Sequence, residues 1–246
     1  MKKLVKNVLG ALGYNIQGIR YCPRQLLSAE NLRVLEFDDI ICRRMFDIGR
    51  ELTFIQIGAY DGVTKDPLRK YIDACGWRGV LLEPQPRPAR QLRELYREND
   101  RILVLEAALE RQRGKRALFT VQCDSAPKWV GGMASFERDH IIRNSHLVPS
   151  FDAYTMIKEI VVDCVSFDDV LDQLASTRVD LLQIDAEGAD GYILSLFPYS
   201  RVQPAVIHLE VKNMTKLQQE TTFDLLSERG YRFARSGSED MLAVLD

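Results

Sequence analysis

No stretch of this chain approaches the roughly 20 consecutive apolar residues needed to cross a bilayer as a helix. The apolar run after Met1-Lys2-Lys3 is broken by Lys6 and Asn7 before a signal-peptide core can form. There is no Cys-x-x-Cys pair, and the five cysteines, Cys22, Cys42, Cys75, Cys123 and Cys164, are scattered and odd in number. That pattern argues against a disulfide framework or a zinc site and leads us to expect a reducing, cytoplasmic setting. Excess charge is missing too: the net charge is −2, so no global basic field points to nucleic acid or an anionic membrane. Repeats and low-complexity segments are absent. With 246 residues the chain can bury one sizeable core and is short for two. We expect a helical lead-in over 1–50 and one domain over 51–246, with the short basic segment 2–12 packed on it.

What is present centres on Phe54-Ile55-Gln56-Ile57-Gly58-Ala59-Tyr60-Asp61-Gly62, an apolar run of strand length that breaks into Gly-x-x-x-Gly. Asp66-Pro67 follows, a cap residue and a proline suited to a first helical position. Strand, glycine turn and helix form the first unit of a nucleotide-binding α/β sheet, where glycines allow close backbone approach. A dinucleotide site requires Gly-x-Gly-x-x-Gly; here the middle glycine is missing and Asp61 would repel a diphosphate. The turn suits a ligand without phosphate and with a cationic end, such as S-adenosylmethionine.

Before the turn, apolar residues from Leu32 to Ile48 recur at helical spacing, which predicts one or two helices covering the sheet. After it, helices over about 67–75 and 87–98 alternate with strands at 79–83 and 102–106, the rhythm of a parallel sheet with right-handed crossovers. Strands are expected at 116–121 and 159–165. The polar, irregular segment 122–158 between them reads as a substrate-facing insertion. The rhythm resumes with a capping box at Ser166 opening a helix to about 176, a strand at 179–185, a helix at 189–197, a strand at 205–210 and a helix over about 217–229. Residues 231–234 and 241–245 form a terminal hairpin.

In such a sheet the ligand lies beyond the carboxyl ends of the strands. Those ends carry Gly58, Asp61 and Gly62; Glu83-Pro84, at the distance where an acid accepts both hydroxyls of a ribose; Glu106-Ala107-Ala108, small enough for an adenine to lie on the backbone; Asp185-Ala186-Glu187-Gly188; and His208 with Glu210. The last two are two residues apart and so share a strand face. Each acid taken singly reads as a helix cap or a solvated end; four strand ends bearing acids are hard to explain by packing.

Gln-Ile-Gly-Ala-Tyr-Asp-Gly, Leu-Leu-Glu-Pro, Glu-Ala-Ala-Leu, Gly-Gly-Met-Ala-Ser-Phe and Asp-Leu-Leu-Gln-Ile-Asp-Ala-Glu-Gly-Ala-Asp, in this order from Phe54 to Glu210, resemble the FkbM family of S-adenosylmethionine-dependent methyltransferases. The resemblance implies a class I methyltransferase fold, a Rossmann-like three-layer α/β sandwich whose mostly parallel seven-stranded sheet ends in a reversed strand. It also implies methylation of a hydroxyl, often on a sugar of a glycan, glycolipid or glycosylated metabolite. The cofactor positions it implies are Gln56, Gly58, Asp61, Gly62, Glu83, Pro84, Ala107 and Asp185. Gln56 departs from the pattern, since the first position of the glycine motif is commonly acidic.

A sugar hydroxyl needs a general base or a divalent ion to become a nucleophile. Asp185, Glu187 and His208 are the catalytic candidates, with His208 preferred because its ordinary pKa lies near neutrality; as an isolated strand residue it reads equally as a core histidine. Asp185, Glu187 and Glu210 are candidate ligands of an oxygen-rich Mg²⁺ or Ca²⁺ site. Two other functions fit the same strand-turn-helix start: a catalytically silent nucleoside-binding module, and an NAD-dependent oxidoreductase, which the absent glycine and Asp61 disfavour.

Overall fold

The structure, a computed structural model, describes residues 36–49, 51–122, 128–148, 151–174, 176–237 and 239–245. The expected segment 2–12, the first part of the lead-in helices, Cys22 and Cys123 lie outside the described residues.

The chain opens with helix α1 (Phe37–Ile48) and enters strand β1 (Thr53–Ile57), every residue of which is buried. That fits a central strand paired on both edges and covered on both faces. Helix α2 (Arg69–Cys75) starts two residues later than expected, with Leu68 rather than Asp66 as its N-cap residue; Asp66 stands just ahead of it, its Oδ1 accepting the Leu68 N–H at 2.7 Å. Strand β2 (Arg78–Leu82), helix α3 (Pro86–Leu95, with proline at its first position) and strand β3 (Ile102–Leu105) follow. The chain then leaves the sheet through β4 (Ala108–Leu109), β5 (Gly114–Val121), a 3₁₀ turn (Lys128–Gly132), β6 (Ala134–Ser135), α4 (Arg138–Asn144), a second 3₁₀ turn (Ser145–Leu147), α5 (Ala153–Met156) and β7 (Ile157–Val165). It returns with α6 (Phe167–Leu174), β8 (Leu181–Ile184), α7 (Asp190–Ser195), β9 (Val206–Glu210), α8 (Lys216–Ser227), β10 (Arg232–Ser236) and β11 (Asp240–Val244).

The main sheet has seven strands in the order β3-β2-β1-β8-β9-β11-β10. Pairings from β3 to β9 are parallel, and β11 runs antiparallel to both of its neighbours. The expected fold is therefore present, with the terminal hairpin supplying the reversed strand. Chain order runs outward from β1 through β2 to β3, then restarts at β8 on the other side of β1. The gap between the ends of β1 and β8 is the topological switch point where open α/β sheets hold ligands.

Strand alternation builds the three layers. Ile55 and Ile57 point to one face and pack with Phe167, Val170 and Leu171 of α6 and Leu226 of α8. Phe54 points to the other and packs with Ile40 and Ile41 of α1, Ile72 of α2, Leu92 of α3 and Trp77. Capping fixes where the helices begin. Ser166 and Asp169 exchange bonds at 2.9 Å and 3.3 Å, as expected, and Thr215 and Gln218 form a second capping box.

The segment expected to be irregular is built. Strands β4 to β7 form a separate four-stranded sheet in the order β4-β7-β5-β6, and the chain between β5 and β7 closes over a small core of Val121, Val130, Met133, Ile141, Val148 and Ile157. Single apolar residues from short elements make this core, so no helical or strand period announces it. Cys42, Cys75 and Cys164 are free thiols. Among the described residues no helix is long and apolar enough to cross a membrane.

Candidate active site

A cavity of about 850 Å³ opens at the carboxyl ends of β1, β2, β8 and β9 and is roofed by residues of the second sheet. Of the residues expected there, Gln56, Gly58, Glu83, Pro84, Ala107, Asp185, Glu187 and Glu210 line it. Asp61, Gly62 and His208 are not among its lining residues.

Glu83, 3% exposed, follows directly on β2. Its Oε2 accepts the Tyr60 N–H at 2.9 Å and its Oε1 the Gln85 N–H at 2.8 Å. Burial raises its pKa to about 7 in spite of these two donors, which favour the charged form. The glycine turn is held against it. Gly58 and Ala59 both donate to the Leu82 carbonyl at 3.0 Å, and a Cβ on Gly58 would lie 1.8 Å from the Asp185 carbonyl oxygen. Only glycine fits where β1 and β8 come this close.

Asp61 turns back into its own loop. Its Oδ1 accepts from the N–H groups of Val63 and Thr64 at 2.9 and 2.7 Å, and its Oδ2 from the Thr64 hydroxyl at 2.8 Å. Burial opposes its charge, but these donors hold the carboxyl below its usual range. Gly62 faces Leu92 and Leu95 of α3 and Tyr96 just beyond it rather than the cavity. Both residues shape the turn from behind.

On the other side, Asp185 follows β8 and opens onto the cavity. Its pKa is raised well above the usual carboxylate range, first by the surrounding protein and then by Glu210, Asp190 and Glu187, with Lys212 pulling the other way. Asp190, fully buried, shapes the loop between β8 and α7: its oxygens accept the N–H groups of Ala186 and Gly188, both at 3.1 Å, and burial raises its pKa to about 7. Glu187 and Gly188 sit at φ 49° and 94°, and the His140 ring rests where a Gly188 Cβ would be.

The geometry bears on two further expectations. Among the described residues no group of three or more His, Cys, Asp or Glu side chains is placed to hold a metal ion, so Asp185, Glu187 and Glu210 form no such set. Glu210 is drawn to Lys212 at 2.6 Å and to Asn213 at 2.7 Å, and Glu187 lies 3.6 Å from His140 Nε2. The second concerns His208. Its ring is 5% exposed, 4.8 Å from the Phe37 ring of α1, with Nδ1 2.5 Å from Gln183 Oε1 and Nε2 3.6 Å from Asp240. It shares a strand face with Glu210 as expected, but α1 covers it.

The residues that sequence reasoning missed are Tyr60, Gln85, Asp66 and Lys212, all of which line the cavity. Tyr60 Oη donates to the Lys128 carbonyl at 2.8 Å and Gln85 Nε2 to the Gly131 carbonyl at 3.1 Å, so the insertion is tied to both neighbours of Glu83. Asp66 was legible in the sequence only as a helix cap.

By sequence, residues 56–233 match the model of one protein family, described as the Methyltransferase FkbM domain. No curated protein matches the chain. Among solved structures, the methyltransferase FkbM from Methylobacillus flagellatus KT is similar at 13% identity and a TM-score of 0.47, over 79% of this chain and 44% of that one. This chain thus spans less than half the length of that protein. The precorrin-6y C5,15-methyltransferase from Geobacter metallireducens GS-15 is similar at 13% identity and a TM-score of 0.42, over 94% of this chain and 98% of that one. The N-terminal domain of human METTL16 in complex with SAH is similar at 12% identity and a TM-score of 0.42, over 99% of this chain and 81% of that one.

Proposed function

The chain belongs to the FkbM methyltransferase family, and we propose that it moves a methyl group from S-adenosylmethionine to a hydroxyl oxygen, that of a sugar in a glycan, glycolipid or glycosylated metabolite. The observation that carries the cofactor reading is Glu83. Each of its oxygens takes one backbone N–H and keeps a second lone pair, the arrangement that accepts two neighbouring ribose hydroxyls. Gln56, Gly58, Pro84 and Ala107 supply the rest of the proposed cofactor wall, with Gly58 allowing the ligand to approach the backbone closely. On the acceptor side, Trp129 and Phe136 line the same cavity as Asp185 and Glu187, which brings stacking surface and acceptors suited to a sugar into one site.

When bound, the cofactor supplies a methyl group on a sulfonium, and the electron pair of the S–C bond returns to sulfur. The chain's own residues align the acceptor, exclude water and take up its proton. Asp185 is the proposed base, since a carboxyl raised above its usual range is a better proton acceptor than an ordinary one and lines the cavity directly. Asp190 positions its loop, and Lys212 holds Glu210 beside it.

Calorimetry with S-adenosylhomocysteine tests the cofactor reading. Glu83→Ala should weaken binding by roughly 1.5 to 3 kcal/mol for each charge-assisted bond lost; an unchanged affinity in a folded variant removes Glu83 from the site. The ionised carboxyl accepts hydroxyl donors better than the neutral one. Binding therefore favours loss of the Glu83 proton, and with a pKa of about 7 in the free protein affinity should fall as pH drops below neutrality, by up to about tenfold per unit. The fold responds in the opposite sense. Raised from an ordinary 4.5, Glu83 contributes stability that is fully present below 4.5 and lost as pH rises through about 7. A flat affinity between pH 5.5 and 8 would contradict this role.

A further inference from the structure

The first position of the glycine motif is an amide, and the structure pairs it with a carboxylate that the motif does not contain. Gln56, 4% exposed, donates from Nε2 to Asp66 Oδ1 across a long 3.4 Å contact. Turning the amide over would set its oxygen against that carboxylate, so the orientation is fixed by electrostatics. Two acceptors remain: Gln56 Oε1 and Asp66 Oδ2 are both buried and have no hydrogen-bond partner. Buried acceptors of this kind are rare, and leaving them unpaired is costly. Both residues line the cavity.

What surrounds the pair narrows what completes it. Thr64, Lys65 and Pro67, the chain neighbours of Asp66, line the cavity too. Lys65 is exposed, with its ammonium over the Trp129 ring at 5.8 Å. Asp61 is the other nearby carboxylate, and its oxygens are taken by Val63 and Thr64. Burial raises the Asp66 pKa, opposed by N–H donation from Leu68, Gln56 and Arg69, and a cation bound beside the carboxyl would favour its ionised form. A ligand that brings at least two N–H donors and a positive charge satisfies both oxygens at once; an anion or a carbonyl satisfies neither.

We infer that Gln56 Oε1 and Asp66 Oδ2 together bind the α-ammonium of the cofactor's amino-acid end, Asp66 supplying the counter-charge that the amide at position 56 cannot. This rests on the cofactor reading above and deepens it by placing the charge ten residues beyond the motif position, on the first residue of the turn into α2.

The test is calorimetry on the full chain with three ligands: S-adenosylhomocysteine, its des-amino analogue lacking only the ammonium, and methylthioadenosine, which lacks the whole amino-acid end. Wild type should bind S-adenosylhomocysteine at least tenfold more tightly than the des-amino analogue. Asp66→Asn should erase that preference and leave methylthioadenosine affinity within about twofold. The exchange variant Gln56→Glu/Asp66→Asn returns the charge to the neighbouring side chain and should recover most of the loss, which a merely structural role for Asp66 would not do. Wild type binding S-adenosylhomocysteine and the des-amino analogue equally overturns the inference while leaving the cofactor reading intact, even if Asp66→Asn fails to fold. Equal losses for all three ligands in a folded Asp66→Asn variant also overturn it. Wild type binding none of the three overturns the cofactor reading itself, and this inference with it.

Discussion

Asp185→Asn should lower methyl transfer by about 10²- to 10⁴-fold, the range for removing a positioned general base, and should leave S-adenosylhomocysteine affinity within a few-fold of wild type. The substitution keeps the volume and the hydrogen-bonding outline of the side chain and removes only its basicity. Asp185 opens onto the cavity beside Glu187 and Glu210, and the same surroundings that raise its pKa should place the rising limb of the rate profile above the usual carboxylate range. His208→Ala makes the contrast. A ring shut between Phe37 and Gln183 cannot meet an acceptor hydroxyl, so its removal should cost stability through a core cavity and change the single-turnover rate only a few-fold. Measured with labelled S-adenosylmethionine and an acceptor found on a glycan panel, an Asp185→Asn rate within tenfold of wild type would end the assignment. So would a His208→Ala variant that is folded and nearly inert.

The two histidine readings, base or core residue, show where sequence reasoning reached its limit. Strand alternation correctly put His208 and Glu210 on one face. What alternation does not encode is the cover, and the cover here is Phe37, from a helix whose periodicity predicts that it packs on the sheet without predicting where. The same limit applies to Asp61. A carboxylate in a glycine turn is equally good at greeting a cation and at accepting N–H groups two and three residues ahead, and the local option won. Asp66 went the other way: its place in the turn into the helix was legible, with its bond to Leu68 falling just short of the cap, but its second oxygen, buried without a partner, exists only in three dimensions. Glu83 was legible because a strand end and a fixed distance from the turn leave little freedom. The seven strands with one reversed were expected from the family resemblance. The alternation of strands and helices and the terminal hairpin were legible too, since each βα unit carries its own period. The insertion was not, because a core assembled from one residue per short element has no period to read.

Gly58→Ala should cost about 4 kcal/mol or more of folding stability, the range reached only by a few severe mechanisms, and should abolish S-adenosylhomocysteine binding in whatever fraction remains folded. Two terms add. Gly58 sits at φ 79°, and holding an L-residue in the left-handed region costs roughly 1 to 2 kcal/mol. The added Cβ would also stand 1.8 Å from the Asp185 carbonyl oxygen and 2.9 Å from its carbon. These are backbone atoms, so no rotamer change relieves the overlap. Relief requires the ends of β1 and β8 to part, and with them the bond from Asp185 N–H to the Ile57 carbonyl at 3.0 Å, while the bonds from Gly58 and Ala59 to the Leu82 carbonyl hold the turn to β2 on the other side. The Asp185–Ile57 bond closes the switch point that the cofactor is proposed to occupy, so stability and binding should be lost together. Gly62→Ala is the control. Gly62 also has a positive φ, 68°, but its Cβ would meet Leu92 Cδ2 at 2.7 Å, a side-chain end that can turn aside at roughly 1 to 3 kcal/mol. Against a total stability of about 5 to 15 kcal/mol, the first change should leave a large unfolded population and the second a folded, binding protein. Urea midpoints for the two variants decide the matter: a Gly58→Ala protein within 1 kcal/mol of wild type, or no less stable than Gly62→Ala, would mean that β1 and β8 can separate without penalty and that the crevice is not held shut by glycine.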